Sequence, residues 1–259
     1  MKSLMFVPSK PKMLGKISAS ASDAYIIDLE DSIKEEDKEQ ALSDALEYLA
    51  TSPNEDIYVR VNGDHLEDEV LKLKDTCIRG YMIPKFENPD NYSSSVRDLI
   101  GDKEVIALVE TPLGIVNLQQ IASCKFVSSI AFGAEDFTSA IGMKNCAEYL
   151  NYARSAVVTF GRAYGKHVYD TPSFIIDNEV DLEREIQIAV DMGFDGKLAI
   201  HPKQIEKINC LFQYFDIDNI KEIVDQYEAA GQAVLKIGEH VYEKMHISHF
   251  KRILKEHNL

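Results

Sequence analysis

The chain lacks most of the short motifs that identify common enzyme classes. It has no GxGxxG, Walker A, GxSxG or HExxH motif, and this argues against the usual nucleotide sites, serine hydrolases and zinc proteases. Its four cysteines include no Cys-x-x-Cys pair, so neither a disulfide framework nor a zinc site is indicated. The chemistry has to be sought in other residues.

Positive charge and long apolar runs are also scarce. The chain has 28 Lys and Arg against 43 Asp and Glu, for a net charge of −15, a balance that repels nucleic acid and anionic membranes. No stretch approaches the length of a membrane span, and the apolar run near Met1 is too short for a signal peptide. These features predict a cytoplasmic protein with no nucleic-acid or membrane partner.

What the chain does contain is a regular alternation of short apolar runs and longer amphipathic segments, which predicts a parallel β-sheet. A length of 259 residues fits a (β/α)8 TIM barrel, with a doubly wound open sheet as the competing arrangement. We expect a barrel over residues 1–215 and a C-terminal helical segment, residues 216–259, that makes oligomer contacts. The predicted strands are Leu4–Val7, Ala24–Asp28, Ile57–Arg60, Gly80–Pro84, Val105–Val109, Ser129–Phe132, His167–Tyr169 and Leu198–Ile200.

Two of these runs lead into acidic residues. Val105–Val109 is followed by Glu110, and the run that begins at Ser129 leads to Asp136. Glu110 and Asp136 are 26 residues apart, the length of one strand-helix-strand unit, so both are expected at the carboxyl ends of neighbouring strands, where α/β folds bind ligands. Two unpaired carboxylates would repel each other, whereas a hard cation such as Mg²⁺ would hold them together. Glu110 and Asp136 are therefore the predicted metal ligands.

Charged residues follow the second and third predicted strands as well. Glu30 and Asp31 come after Ala24–Asp28 and are predicted to act in the outer shell of the metal, with a helix cap as the alternative. Arg60 ends the third strand, where its guanidinium could grip a substrate carboxylate through two hydrogen bonds. The alternative for Arg60 is an internal salt bridge to Glu30 or Asp31.

The remaining candidates follow later strands. Lys85 could neutralise an enolate or a neighbouring carboxylate, although a plain ion pair with Glu110 is the favoured interpretation. Thr111 and Pro112 directly follow Glu110, and the backbone N–H groups of this turn could hold an anionic oxygen, although a simple helix start explains the pair as well. Gly133 either lets the chain pass close beneath a ligand or merely packs.

Two further polar residues have simpler explanations. His201 follows the last predicted strand and could act as a general acid or base, although a structural, hydrogen-bonded histidine is the favoured interpretation. Asp170 follows the seventh predicted strand, where capping a turn is its simplest role.

A series of motifs between residues 2 and about 215 carries a family resemblance. In chain order they are SLMFVP (3–8), DLEDS (28–32), VRVN (59–62), PK (84–85), ETPLG (110–114), FGAED (132–136), YARS (152–155), GFDGK (193–197) and AIHPKQ (199–204). This set closely resembles the HpcH/HpaI aldolase and citrate lyase superfamily, in particular its citrate lyase β-subunit-like branch.

The resemblance implies a trimeric or hexameric (β/α)8 barrel that works as a Mg²⁺-dependent carbon–carbon lyase or aldolase. It implies substrates such as citryl, malyl or citramalyl thioesters, with CoA as one carrier, or hydroxy-keto acids, and an oxaloacetate- or pyruvate-like keto acid as product or co-substrate. Mg²⁺ would be bound by Glu110 and Asp136, and a substrate carboxylate by Arg60. The full predicted set is catalytic Arg60, Glu30, Asp31 and Lys85, and substrate-binding Arg60, Glu110, Thr111, Pro112 and Gly133.

The chain departs from the family pattern at three positions. Lys2 and Ser9 stand where relatives commonly have Arg and Gly, and Tyr242, next to Glu243, stands where thioester lyases of the family have an Asp that reaches a neighbouring subunit. A phenol with an ordinary pKa near ~10 is a poor substitute for a carboxylate base. A substrate other than malyl-CoA is therefore expected. The alternative functions are a metal-dependent thioester hydrolase or synthase, or a catalytically weak binding subunit of a larger complex.

Overall fold

A computed structural model describes residues 1–51, 56–144, 149–212 and 217–256. Contacts divide the chain into two compact units, Met1–Phe212 and Gln213–Leu259. The predicted domain boundary between residues 215 and 216 lies outside the described residues, so this division stays a prediction. Along the described chain, no helix is long and apolar enough to cross a membrane.

Eight parallel strands of the first unit form a closed barrel, in which each strand pairs with the next and the eighth pairs with the first. The predicted (β/α)8 barrel is thereby confirmed, and the open doubly wound sheet is excluded. The strands are β1 Ser3–Pro8, β2 Ala24–Asp28, β3 Ile57–Arg60, β4 Gly80–Ile83, β5 Glu104–Val109, β6 Ser129–Phe132, β7 His167–Asp170 and β8 Gly196–Ala199.

The strands are buried on both faces, which explains why they appear in the sequence as continuous apolar runs. One set of side chains, including Ile26, Tyr58, Leu108 and Tyr169, fills the barrel interior. The side chains that alternate with them pack in a second, larger cluster together with the helices. The barrel wall therefore separates an inner core from an outer core. A strand residue two positions from an interior residue also points inward, and its direct neighbour points toward the helices.

Helices connect the strands and cover the outside of the barrel. Several begin at a capping side chain that accepts a backbone N–H, as Ser93 does for Val96 and Asn178 does for Asp181, which supports the chain reversal after each strand. The helices are α1 Pro11–Leu14, α2 Lys38–Thr51, α3 Leu66–Leu73, α4 Ser94–Ile100, α5 Pro112–Val116, α6 Leu118–Ser123, α7 Ala134–Ile141, α8 Asn151–Ala163, α9 Glu179–Met192 and α10 Pro202–Leu211, with short 3₁₀ turns at Ile17–Ala19, Glu35–Asp37, Gly63–His65 and Pro89–Asn91.

The second unit is mostly helical, as expected, but a β-hairpin interrupts it. Gly238 has a φ of +58°, the left-handed backbone that a tight hairpin requires. Tyr242 lies on this hairpin, and its ring contacts the rings of His246 and Phe250 within the apolar core of the unit. The elements are α11 Ile217–Ala230, β9 Val234–Ile237, β10 His240–Glu243 and α12 Lys244–Glu256.

Candidate active site at the carboxyl ends of the strands

A cavity of about 370 Å³ lies at the carboxyl ends of the barrel strands, where active sites of this fold are located. Five of the predicted site residues line it, and its remaining wall is largely apolar, with Phe6, Leu108, Phe174, Leu198 and Ile200 contributing. The site is therefore a small, partly apolar chamber with a charged end. The five predicted residues that line it are Asp31, Arg60, Glu110, Gly133 and Asp136.

Strand periodicity explains why the charged side chains reach this chamber. Leu108 belongs to the barrel interior, and Glu110 follows it by two positions, so Glu110 points to the same side of the wall. The same relation holds for Asp28 after Ile26 and for Arg60, which follows Tyr58. The charged residues thus form a polar layer above the apolar filling of the barrel.

Three carboxylates hold the guanidinium of Arg60. Its Nε and Nη2 donate to the two oxygens of Asp28 at 2.7 and 2.8 Å. Its Nη1 lies 3.1 Å from Asp31 Oδ2 and 3.2 Å from Glu30 Oε2. The internal salt bridges foreseen as the alternative are therefore present. Sequence reasoning missed that Asp28 takes the bidentate position, although Asp28 and Arg60 are direct partners in the β2–β3 register.

These contacts shift the carboxyl groups in opposite directions. Burial opposes ionisation of Asp28, but its two hydrogen bonds with Arg60 hold the pKa of Asp28 below its ordinary value. Burial also raises the pKa of Glu30, and there the charges of Arg60 and Lys85 compensate only in part. Arg60 therefore stabilises the ionised form of Asp28, whereas the ionised form of Glu30 is only partly compensated by positive charge.

Lys85 connects this group to the opposite side of the chamber. Its Nζ lies 2.9 Å from Glu30 Oε1 and 3.5 Å from Asp136 Oδ2, while its backbone N–H donates to Glu110 Oε1 at 2.8 Å. The predicted ion pair between the Lys85 ammonium and Glu110 was therefore wrong. The reason is local: Lys85 has a φ of +46°, so at this turn the amide binds Glu110 and the side chain extends to Glu30.

Glu110 lies against the turn that follows β6. A Cβ at Gly133 would come within 2.6 Å of Glu110 Cβ and Oε2, so only glycine fits here without moving the carboxylate. The structure thus shows the packing alternative for Gly133, since the Glu110 side chain lies directly against it. Burial, together with repulsion from Glu30 and Asp136, raises the pKa of Glu110 to about 8, despite the hydrogen bond from Lys85.

Asp136 lies in the first turn of α7, which begins at Ala134. Gly133 provides no capping side chain for this helix. Instead, the Ala134 N–H donates to Thr171 Oγ1 at 3.0 Å, from the end of the neighbouring strand β7. Thr171 also lines the chamber, and no signal in the sequence indicated that it would cap a helix 37 residues earlier.

Three of the candidates, Thr111, Pro112 and His201, have structural roles at the starts of helices. Thr111 Oγ1 accepts the N–H of Gly114 at 3.1 Å and Pro112 is the first residue of α5, so the helix-start alternative is present. His201 caps α10 in a reciprocal arrangement with Gln204, as the favoured structural interpretation of that histidine requires.

The interpretation of Asp170 as a turn cap was wrong. Asp170 is fully buried and accepts hydrogen bonds from Arg154 Nε and Nη2 at 2.8 and 3.1 Å and from Lys197 Nζ at 2.6 Å. Tyr169 and Leu198 belong to the barrel interior, so their neighbours Asp170 and Lys197 face the helix layer, where Arg154 of α8 meets them.

The donor set at the chamber fits a hard divalent cation. Glu30 Oε2 is buried and accepts no hydrogen bond, although it lies near Arg60, and Lys85 Nζ occupies a cation position between Glu30 and Asp136. Among the described residues, no three His, Cys, Asp or Glu side chains form a complete metal cage, but Mg²⁺ commonly needs only one or two carboxylates besides water and substrate. In the described part of the chain, the carboxylates of Asp28, Glu30, Asp31, Glu110 and Asp136 surround the cations Arg60 and Lys85, so acids outnumber bases at this end of the chamber.

Comparison with known protein sequences gives a consistent result. The model of the HpcH/HpaI aldolase/citrate lyase family matches residues 2–202. The chain is 26% identical to citrate lyase subunit beta of Leuconostoc mesenteroides subsp. cremoris, over 98% of this chain and 92% of that protein. It is 29% identical to a (3S)-malyl-CoA thioesterase of Cereibacter sphaeroides, over 95% and 90% of the two chains.

Solved structures extend the similarity to three dimensions. The citrate lyase β subunit from M. tuberculosis, complexed with oxaloacetate and magnesium, superposes with a TM-score of 0.70 at 26% identity, over 82% of this chain and 96% of that one. These similarities confirm the predicted resemblance and the barrel fold.

Proposed function

The chain belongs to the HpcH/HpaI aldolase/citrate lyase family, and from this premise we propose how it acts as a Mg²⁺-dependent carbon–carbon lyase. Aldolases and citrate lyases break or form a carbon–carbon bond next to a carbonyl group. The substrate proposed here is a citryl-, malyl- or citramalyl-like thioester or a hydroxy-keto acid, and the keto acid released or used is oxaloacetate- or pyruvate-like. Oxaloacetate and magnesium occur together in the M. tuberculosis relative, which supports this choice.

The observation that carries the proposal is the pair Glu110 and Asp136 in one chamber. We assign these two carboxylates as the metal ligands. Because Glu110 is buried beside other acids, the charge of Arg60 and the hydrogen bond from the Lys85 N–H compensate its ionised form only in part, and a divalent cation would provide the remaining positive charge. When bound, Mg²⁺ would polarise the carbonyl next to the reacting bond.

Arg60 and the apolar wall would orient the substrate. The guanidinium lies at the charged end of the chamber, and Asp31, whose side chain is 55% exposed, is its most exposed partner. A substrate carboxylate can replace Asp31 on Nη1 while Asp28 keeps the arginine in place. Phe6 stacks on the guanidinium at 4.8 Å and limits its access to water.

Cleavage leaves an enolate, whose negative charge has to be balanced. We assign this role to Lys85, whose ammonium is 51% exposed and bridges Glu30 and Asp136. Although partial burial works against it, the contact with Glu30 raises the pKa of Lys85. Lys85 Nζ therefore keeps its proton and stabilises the enolate by charge. Glu30 holds Lys85, and Glu30 and Asp31 would orient water around the cation.

The metal assignment is tested by calorimetry. Glu110→Gln and Asp136→Asn, made singly, are each expected to abolish or strongly weaken Mg²⁺ binding, and Asp177→Asn, an exposed acid paired with Lys203, provides the control. Mg²⁺ affinity that is unchanged in both site variants would refute the assignment.

The reaction is tested with purified full-length protein, Mg²⁺ and a panel of citryl, malyl and citramalyl thioesters and 4-hydroxy-2-keto acids. Release of oxaloacetate, pyruvate or glyoxylate is the expected result. No keto acid from any member of the panel would contradict the lyase assignment and favour the binding-subunit alternative.

Thioester hydrolysis is the second candidate function, favoured by the similarity to (3S)-malyl-CoA thioesterase. The two reactions differ in products, because hydrolysis releases a free thiol and leaves the carbon skeleton intact. Titration of the thiol in parallel with the keto acid therefore distinguishes them.

We further propose that the enzyme works in the cytoplasm as a homo-oligomer, either a trimer or a hexamer. The family resemblance supports the oligomer, since it implies that the stretch around Tyr242 reaches a neighbouring subunit. Light scattering coupled to size-exclusion chromatography should give a mass of three or six chains, and a monomer would refute the oligomer.

A further inference from the structure

We propose that Thr171 is a positioning residue for the metal site, and that the buried cluster of Arg154, Asp170 and Lys197 holds Thr171 in place. The inference rests on the proposed role of Asp136 as a metal ligand. It concerns residues of α8, β8 and the end of β7, none of which contacts the metal in the proposed site.

The first step is that α7 cannot cap itself. A serine, threonine, asparagine or aspartate would normally precede a helix and accept one of its first N–H groups. That position is Gly133, and the 2.6 Å approach of a Cβ to Glu110 excludes any side chain there. The close packing of Glu110 thus removes the usual cap from the helix that carries Asp136.

The second step is that Thr171 replaces the missing cap. Its hydroxyl oxygen accepts the N–H of Ala134 at 3.0 Å, and Thr171 is only 4% exposed. Asp136 lies two residues after Ala134. Fixing this N–H therefore fixes the first turn of α7 and with it the start of the Asp136 side chain.

The third step is that Thr171 is itself anchored. Lys197 Nζ donates to the Thr171 carbonyl at 2.7 Å and to Asp170 Oδ2 at 2.6 Å, and Arg154 grips Asp170 with two hydrogen bonds. All three charged residues are at most 2% exposed. Arg154 Nη1 is buried without a hydrogen-bond partner among the described residues, but both oxygens of Asp170 are satisfied and Lys197 Nζ joins Asp170 to the Thr171 carbonyl. These buried hydrogen bonds restrict the position of the Thr171 carbonyl.

The test compares Thr171→Val with Thr171→Ser in the full-length protein. Valine has nearly the same shape and cannot accept the Ala134 N–H, whereas serine can. We expect Mg²⁺ binding, measured by calorimetry without substrate, to weaken roughly fivefold or more in Thr171→Val, as the loss of a helix cap implies, and to be restored in Thr171→Ser.

A matched control separates positioning from general stability. Ser93 caps α4 through the Val96 N–H at 3.2 Å and does not line the chamber, so Ser93→Ala should lower the melting temperature comparably without changing Mg²⁺ affinity. Wild-type Mg²⁺ affinity in Thr171→Val, or an equal loss in Ser93→Ala, would overturn the inference.

The cluster is tested with Lys197→Met, which keeps the length of the side chain but loses the bond to the Thr171 carbonyl. If the variant folds, its Mg²⁺ affinity should fall by a factor similar to that of Thr171→Val, and unchanged affinity would overturn the anchoring step. If Lys197→Met does not fold, the comparison of Thr171→Val with Thr171→Ser still tests the positioning step, and Lys197→Arg replaces Lys197→Met.

Asp136→Asn is measured beside every one of these variants. Unchanged Mg²⁺ binding in Asp136→Asn refutes the proposed metal site itself. Loss of Mg²⁺ binding in Asp136→Asn together with normal binding in Thr171→Val refutes only the present inference.

Discussion

Two buried ionic clusters lie at the same end of the barrel and differ in almost every respect. The cluster around Arg60 faces the chamber, contains more acids than bases and leaves Glu30 Oε2 without a hydrogen bond. The cluster around Asp170 faces the helices, contains two cations for one acid, and satisfies both oxygens of that acid. The first cluster has an excess of negative charge that a bound cation would offset, whereas in the second the one carboxylate is fully paired and the unsatisfied group is a cation, because Arg154 Nη1 is buried without a hydrogen-bond partner in the ranges that the structure describes.

The difference shows that ion-pair distance alone does not identify a functional site. Both Asp28 and Asp170 make contacts shorter than 2.9 Å with arginine. What distinguishes the chamber is the unmatched charge next to solvent-accessible space, which is also where perturbed carboxyl groups are expected in active sites. The four substitutions below, in order of decreasing effect, test this contrast.

The largest effect is expected at Glu110. Its pKa of about 8, against about 4.5 for an unfolded chain, means that the folded protein binds this proton more tightly than the unfolded one. In the presence of a chelator, the contribution of Glu110 to stability is therefore complete below pH 4.5 and is lost as the pH rises through 8. This loss amounts to up to about 5 kcal/mol. Urea unfolding across this range should show that Glu110→Gln removes this part of the decline and is more stable than the wild type at alkaline pH, while Glu30 and Glu69, whose pKa values are also raised by burial, keep their own contributions. An unchanged pH profile would contradict the buried, unmatched state of Glu110.

Removal of Asp170 should have the opposite sign. Asp170→Ala leaves Lys197 and Arg154 buried without a carboxylate, although Lys197 keeps its hydrogen bond to the Thr171 carbonyl, and such losses cost about 3–5 kcal/mol. Burial opposes ionisation of Asp170, but the two cations hold its pKa below the ordinary value. The ionised carboxylate therefore stabilises the wild type above the ordinary pKa of an aspartate. This stabilisation is lost as the pH falls through the lowered pKa of Asp170. The melting temperature measures the loss, and Asp177→Ala, an exposed acid with its own lysine, should change it little. Equal decreases of the melting temperature in Asp170→Ala and Asp177→Ala would contradict the expectation that the buried ion pairs stabilise the protein more than the exposed one.

A smaller effect is expected at Lys85, because its ammonium occupies a cation position beside Asp136. Lys85→Met should raise Mg²⁺ affinity about fivefold, as expected for the loss of one partly exposed ion pair, while lowering kcat. Lys72→Met is the charge-matched control, since Lys72 Nζ pairs with Asp68 within α3 and neither residue lines the chamber. Weaker Mg²⁺ binding in Lys85→Met would instead mean that Lys85 helps to organise the metal site.

The smallest effect is expected at Asp31. Its side chain is 55% exposed, and Arg60 keeps its bidentate bond to Asp28 when Asp31 is changed. Asp31→Asn should therefore alter the free energy of unfolding by less than about 1 kcal/mol, and Asp28→Asn should cost clearly more. Similar losses in the two variants would show that Arg60 depends equally on its exposed and its buried partner.

The barrel could be predicted from the sequence because the alternation of short apolar runs and amphipathic segments is a local pattern that repeats along the chain. All eight strands were found, and the main shift is in the last one, observed at Gly196–Ala199 instead of Leu198–Ile200. Lys197 made this segment look unlike a strand, since a fully buried lysine is explained only by Asp170 and Thr171, which are distant in sequence. The short hairpin of the second unit was not predicted, because its two four-residue strands lie between two segments with a strong helical pattern.

The site was predictable only as far as strand ends determine it. Glu110 and Asp136 follow adjacent parallel strands, so their common location follows from spacing. The partners of Lys85 depend on a left-handed backbone, which a lysine in the sequence does not suggest. The cap from Thr171 to Ala134 depends on two loops that meet only in the folded barrel.

The chain contains no tryptophan, and this gives one residue of the chamber wall a practical value. Phe174 lines the chamber and is 57% exposed, so an indole at this position would be the single long-wavelength fluorophore of the protein. Its emission would respond to the polarity at the mouth of the chamber. In Phe174→Trp, the arrival of a keto acid or thioester could be followed in real time, separately from any bond that is subsequently broken.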